Sequence, residues 1–368
     1  RSKARQLVAG LSNDVSKVVA LGEFVQSNCT YKAIEFGRRG RIPNRPAEIL
    51  ENKYGDCKDH AVLLQQMLGA VGISADLALV GHGEVLRDLP SMDQFDHMIV
   101  YVPGQGAGTF VDCTDKGADL AAPIPVGLAG FETLILDTNT PRIAGIPPYV
   151  DTGSAITVRQ HLHLTDLSDA VVEETMELTG PHAAFLRDFL LNYSPTDRQM
   201  AMQRELGMDD IEVSDFNIDA LEKPGEPLRV SFTFAVKKEF HRAGNRLNGN
   251  LRAGFERSYV TAAAVEKRST PFELRFPLVL RSSVSVDIPD RFQAEEGADP
   301  SPNLDERFGT CHTQRRLEGG KLDLECEYRR RAGRFGPGDY SAYRESMAQA
   351  LLAIEREVGF KLSDASVK

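Results

Sequence analysis

Tryptophan is missing altogether from this 368-residue chain, and cysteine is scarce: Cys29, Cys57, Cys113, Cys311 and Cys326. An odd, sparse set in so long a chain excludes a disulfide scaffold. At least one thiol stays free or pairs between molecules. The hairpin-like RLEGGKL between Cys311 and Cys326 would bring those two within bridging reach, so the compartment stays open. No apolar run approaches the roughly 18 residues that a membrane-spanning helix needs. Cations are outnumbered, with 43 Lys and Arg against 53 Asp and Glu, a net charge of −10. Phosphate binding depends on clustered Lys and Arg, so this acidic balance argues against a nucleic-acid partner. EF-hand, phosphate-loop, dinucleotide and repeat patterns are absent as well, and no cofactor is expected. The opening on Arg1, with no signal peptide in view, reads as the start of a processed fragment.

What is present divides into two textures. Asp14 to about Ser27 places Val15, Val18, Val19 and Val25 at helical spacing. An extended TYKAIEF and a breaker-rich loop, RRGRIPNRP, follow. A short helix begins at Pro46, where a missing N–H costs nothing. After KYGDC comes a strong helix, KDHAVLLQQMLGAV, stopped by Gly72. ISADLALV, DHMIVYV and TFVDCT read as strands, the last two joined by the Gly-rich turn PGQGAG. Helices followed by an antiparallel run is an α+β order.

Residues 117 to 148 are rich in Pro and Gly, and a domain boundary is expected near Ile146 to Asp151. That gives a core over residues 1–148 and a β-rich domain over 149–368. In the second half TVRQHLHLT, VVEETMELTG, RVSFTFAV, ELRFPLVL and LDLECEYRR are strand-like. A helical insert is expected over about His182 to Leu206 and a last amphipathic helix over about Tyr340 to Val358.

The chemistry concentrates on three residues. A thiol is a weak nucleophile until it ionises, and a helix N-terminus or a neighbouring imidazolium favours the thiolate. Gly55 and Asp56 break the chain just before a long apolar helix, which places Cys57 in its first turn. The same free N–H groups can serve an oxyanion hole. Position alone leaves an inert packing role open. His97 opens the strand DHMIVYV, and Asp112 lies in TFVDCT across the turn. Hairpin partners keep a constant sum of positions, and this pair misses the loop-end sum by two. An even offset puts both side chains on one sheet face, at worst as diagonal neighbours. A carboxylate there can fix the imidazole tautomer and stabilise its charged form.

The segment RPAEILENKYGDCKDHAVLLQQMLGAVGISADLALV resembles the core of bacterial transglutaminase-like proteins, in the transglutaminase and papain-like cysteine-protease superfamily. The resemblance runs over about residues 14 to 120. It rests on Tyr54-Gly55-Asp56-Cys57-Lys58-Asp59, Asp96-His97 and Phe110-Val111-Asp112-Cys113-Thr114, in that order. It implies a papain-like transglutaminase core, followed by a β-rich domain with peripheral helices. It also implies Cys57 as nucleophile, His97 as base and Asp112 as the group that orients the base. Relatives often carry a further β-domain ahead of this core, which fits a shortened chain. Several transglutaminases support the oxyanion hole with a Trp; here Tyr31 is the nearest candidate, a purely structural aromatic being the other reading. Asp56 is the second candidate at the cleft, with helix capping as its alternative.

Lesser signals surround these. His60 follows Cys57 by three residues and reads as a helix-surface residue. A zinc set of Cys57, His60, His97 and Cys113 is disfavoured, because Cys113 has the opposite strand parity to Asp112, and no metal is expected. The loop bearing Arg38, Arg39, Arg41 and Arg45 either lines the cleft and favours acidic substrates or is a solvated loop. Arg329-Arg330-Arg331 reads as a solvated strand end. The reading is cysteine-dependent acyl transfer on peptide-like amides through a thioester, hydrolysis favoured over transamidation. Its rival is an inactive transglutaminase-fold scaffold of the cell envelope. A protein or peptide substrate is the expected partner, and oligomeric state is open. The resemblance leans toward periplasm or envelope, with cytoplasm open.

Overall fold

Capping residues fix where the helices of the first unit begin. In this computed structural model, every residue is described except 35, 105–107, 150–152, 165–168, 209–210, 238–239, 252–264, 296–301 and 363–368. Contacts divide the chain into two compact units. The first is Arg1–Tyr149 with Ala184–Leu191 and Glu222–Gly225, and the second is the remainder. The centre of the PGQGAG turn, residues 105–107, and the boundary residues Val150 and Asp151 lie outside the described residues.

Helix α1 spans Ser2–Leu7. Asn13 caps α2 (Asp14–Asn28), the Ser16 N–H donating to its Oδ1 at 2.8 Å. The buried stripe of α2 is Val18, Leu21, Gly22, Val25 and Gln26, while Val15, expected in the stripe, is exposed. Strand β1 (Thr30–Tyr31) follows, then α3 (Pro46–Asn52), with Pro46 in its first turn. Lys53, at φ 57°, turns the chain into β2 (Tyr54–Gly55). Tyr31 pairs in parallel with Gly55. Next comes α4 (Cys57–Ala70), and Gly72, at φ +84°, supplies the left-handed turn that stops it.

The sheet of this unit holds β3 (Asp76–Gly81), β4 (His97–Val102), β5 (Thr109–Val111), β6 (Glu132–Ile135) and β7 (Arg142–Gly145). Its order is β5-β4-β3-β6-β7, antiparallel throughout. Strands β6 and β7 fall in the tract read above only as rich in Pro and Gly. They are short, and Asp137 closes their turn by accepting from the N–H groups of Asn139 and Thr140. Both sheet faces are covered. Val100, Val111 and Cys113 pack with Leu21, Val25, Leu64 and Leu68 of the helices. Ala78, Val80, Ile99, Tyr101 and Phe110 pack with Ile124, Leu128 and Phe131. Each fully buried leucine contributes roughly 1.5–3 kcal/mol.

The second unit is β-rich. It begins with β8 (Ala155–Leu164) and β9 (Ala170–Leu178), and the expected helical insert is two helices, α5 (Gly180–Leu191), whose residues from Ala184 on belong to the first unit, and α6 (Arg198–Glu205). Then come β10 (Val213–Asp219), β11 (Leu228–Val236), β12 (Phe240–Ala243), β13 (Arg246–Leu251) and β14 (Phe272–Leu274). β15 (Leu278–Asp287), β16 (Phe292–Ala294), β17 (Gly309–Glu318), β18 (Lys321–Arg330) and β19 (Gly333–Phe335) complete the run. Seven strands form one sheet, β10-β11-β9-β8-β15-β18-β17, in which β8 and β15 pair in parallel. Helix α7 is Tyr340–Ile354 and ends short of Val358. Arg356–Leu362 is strand β20, with Arg356, Val358 and Phe360 buried alternately between exposed or half-buried neighbours. The β17–β18 hairpin brings the Cys311 and Cys326 Sγ atoms to 3.5 Å as free thiols.

Candidate active site

Asp56 determines how α4 starts. Its Oδ1 accepts from the Lys58 N–H at 3.0 Å and the Asp59 N–H at 3.3 Å, while its carbonyl accepts from the His60 N–H at 3.1 Å. That leaves the Cys57 N–H as the first-turn donor with no acceptor among the described residues, the position an oxyanion donor occupies. Asp56 Oδ2 pairs with Lys58 Nζ at 2.7 Å, both side chains being less than a tenth exposed. Asp59 locks the cap to the preceding loop, accepting from the Asn44 N–H at 2.6 Å and from Asn44 Nδ2 at 2.8 Å. A Cβ on Gly55 would lie 2.5 Å from the Asp59 Cβ, so only glycine fits beside it.

The three residues singled out from sequence are brought together. His97 is the first residue of β4, and its Nε2–H donates to Asp112 Oδ2 at 2.7 Å. His97 lines the same cleft as Cys57, whose side chain acts on the imidazole and favours its charged form. Thr114 holds the far carboxylate oxygen, donating to Asp112 Oδ1 from its N–H at 3.0 Å and its hydroxyl at 2.7 Å. Val100 pairs with Val111 and Tyr101 with Phe110, a register that sets His97 and Asp112 as diagonal neighbours.

Charge follows geometry. Burial disfavours the imidazolium of His97, but the Asp112 carboxylate and the Cys57 sulfur outweigh it and push the pKa up to about 10. Burial likewise opposes charge on Asp112, yet His97 and Thr114 hold its carboxyl below the usual range. Cys29 and Cys113 resist ionisation. Burial, then Asp59, pushes Cys29 up to about 11, and burial with Asp112 raises Cys113 well above its ordinary value.

A cleft of about 280 Å³ opens beside Cys57, with Lys58, Arg41, Phe95, Asp96 and His97 in its wall. Of the loop arginines considered above, Arg41 reaches this wall, paired with Asp93 at 3.1 Å. Tyr31 stands beside Gly55 through the β1–β2 pairing and is 44% exposed, outside the lining of the cleft. The Asp56 carboxylate is occupied by the cap and by Lys58. His60 corrects the surface reading: it is buried, with Nδ1 2.8 Å from the Asp56 carbonyl and Nε2 3.2 Å from the Cys29 carbonyl. Cys113 lies in the helix-side core near the His60 carbonyl. Sequence reasoning missed His82, whose Nδ1 is 2.6 Å from Asp96 Oδ1 and whose ring centroid lies 6.0 Å from that of His97. The available signal was its place at the end of β3, where the register pairs Val80 with His97.

Comparisons with known proteins agree with this architecture. Residues 1–82 match the transglutaminase-like superfamily, a span that includes Cys57 and stops short of His97 and Asp112. Residues 247–356 match a domain of unknown function with solved structure, DUF3858. A solved structure from Parabacteroides distasonis, provisionally named a protease, is similar at a TM-score of 0.55 and 15% identity. That alignment covers 98% of this chain and 55% of the other, so the chain spans about half of the structure it matches. A comparison with curated protein sequences found no match. Among the described residues no helix is long and apolar enough to cross a membrane. The fold is α+β, and the N-terminal part of this chain is a transglutaminase-like domain followed by a β-rich remainder.

Proposed function

We propose that the chain carries a cysteine-dependent acyl-transfer site for peptide-like amides, with hydrolysis favoured over transamidation. The observation that carries this reading is that Cys57, at a capped helix start, and His97, bonded to Asp112, line one cleft. The Cys57 sulfur, as thiolate, attacks the amide carbonyl carbon, and the oxyanion that forms meets the Cys57 N–H. His97, charged up to about pH 10, gives its proton to the leaving nitrogen as the C–N bond breaks. A thioester remains. Neutral His97 then takes a proton from water as its oxygen attacks, releasing the acid and restoring the thiolate–imidazolium pair. Asp112, fixed by Thr114, holds the ring with Nδ1 toward sulfur. Tyr31 is kept as a candidate second oxyanion donor. The protease name of the structural neighbour favours water as the acceptor. We assign this chemistry to a catalytic core of residues 1–148 and place the β-rich domain at 149–368.

Brief iodoacetamide treatment near neutral pH, followed by peptide mapping, tests the assignment. Cys57 alkylates ahead of the other four thiols, and a peptide library leaves an acyl adduct on Cys57 visible by mass spectrometry. Faster labelling of Cys29 or Cys113 sinks the proposal.

A further inference from the structure

On β8, His161 and His163 stand two residues apart and so project from one face of the strand. Asp287, on the parallel neighbour β15, is the register partner of His163. Its Oδ2 lies 2.9 Å from His161 Nε2 and 2.9 Å from His163 Nδ1, and the two ring centroids are 4.0 Å apart. From the other side, β9 presents Glu173, the register partner of His161, with Oε1 3.8 Å from His163 Nε2. We propose that His161, His163 and Asp287 bind one divalent first-row metal ion, zinc by preference, with Glu173 orienting the His163 ring.

Hydrogen bonding alone explains an imidazole beside a carboxylate, but the convergence goes further. Two nitrogens from two rings point at one oxygen, and the three ligand atoms lie within 4.8 Å of one another. Tetrahedral zinc at about 2.1 Å from each ligand sets the ligand atoms roughly 3.4 Å apart. Each nitrogen therefore retreats from Oδ2 by only about half an ångström to admit the ion. Imidazoles this close repel when both are protonated, and a metal binds both in the neutral form. Glu173 occupies the place of a carboxylate that accepts the remaining ring N–H of a metal-bound histidine. Lys321, the partner of Asp287 on β18, opposes a cation here, although its long stem can carry the ammonium into solvent. Two imidazoles and one carboxylate suit zinc and its first-row neighbours rather than calcium or magnesium, which prefer oxygen alone. A fourth position stays open to water. The ion ties together strands 126 residues apart in sequence and so stabilises the β-rich sheet.

The site is independent of the acyl-transfer reading, and its test removes the competing thiol. The full chain with Cys57→Ser is titrated calorimetrically with zinc chloride and spectroscopically with cobalt(II). One equivalent of zinc binds and raises the melting temperature, cobalt gives a tetrahedral spectrum without thiolate charge-transfer bands, and magnesium and calcium give no heat. The added pair His161→Ala and His163→Ala abolishes binding. Glu173→Gln, which leaves all three ligands in place, weakens zinc by about 10- to 100-fold. Absence of stoichiometric zinc binding, undiminished binding in the double-alanine variant or in Glu173→Gln, or thiolate bands with cobalt overturns the proposal.

Discussion

The His97–Asp112 pair and the cluster of His161, His163 and Asp287 are separated by their surroundings. His97 and Asp112 are 14% and 12% exposed, whereas His161, His163 and Asp287 are 35%, 40% and 46% exposed. In the first, Thr114 clamps the carboxylate and Cys57 shares the cleft with the imidazole. In the second, one carboxylate oxygen faces two rings on an open sheet surface. Low exposure makes the first pair strongly coupled, because charge interactions are poorly screened there. Openness makes the second weakly coupled and accessible to an ion. The same residue types thus suit proton transfer in one place and ion binding in the other.

The sharpest way to break this contrast is Asp112→Asn. It removes the charge that raises the His97 pKa and can invert the tautomer, so Cys57 alkylation and turnover fall by up to about 10⁴-fold, the loss seen for the comparable change in a serine protease. In the parent, pairing raises the pKa of His97 from 6.5 to about 10. Its contribution to stability is therefore complete below 6.5 and is lost as pH rises through about 10. In the Asn variant that loss moves to lower pH. Rate and melting temperature measured against pH check both; an unchanged pH profile removes Asp112 from the site.

A smaller effect tests the scaffold beneath the buried cluster. Asp56→Ala deletes the cap of α4 and the carboxylate half of the buried Asp56–Lys58 pair. Breaking a buried pair costs about 3–5 kcal/mol. Denaturant unfolding reads this, and a loss under about 1 kcal/mol contradicts the capping account. The smallest effect is Cys113→Ser, one residue from Asp112 but in the helix-side core. Alkylation of Cys57 stays within about twofold, while a buried hydroxyl costs about 1–3 kcal/mol. If instead reactivity disappears, the register beside Asp112 is shifted by one residue.

Much of the buried site was legible because its determinants are local. Gly55-Asp56 announced the start of α4, and strand parity joined His97 to Asp112 across a short turn. His60 was misread because helical spacing gives a face and not a neighbour. What buries it is the segment at Cys29, 31 residues away. Strands β6 and β7 were hidden by a Pro- and Gly-rich tract, and β20 by the amphipathic helix before it. Each is stabilised by a partner strand, which composition does not record.

The sequence by itself determined the helix start at Cys57, the shared face of His97 and Asp112, and the α+β order, since these follow from turns, caps and periods within a few residues. Tertiary structure alone decided the meeting of Cys57 and His97 at one cleft, the burial that couples His97 to Asp112, and the meeting of His161, His163 and Asp287. Those residues lie 40 and 126 positions apart in the chain, with Cys57 and His97 separated by the former span. Their approach depends on which strands pair and which faces are covered, a choice made by the whole core rather than by any local stretch.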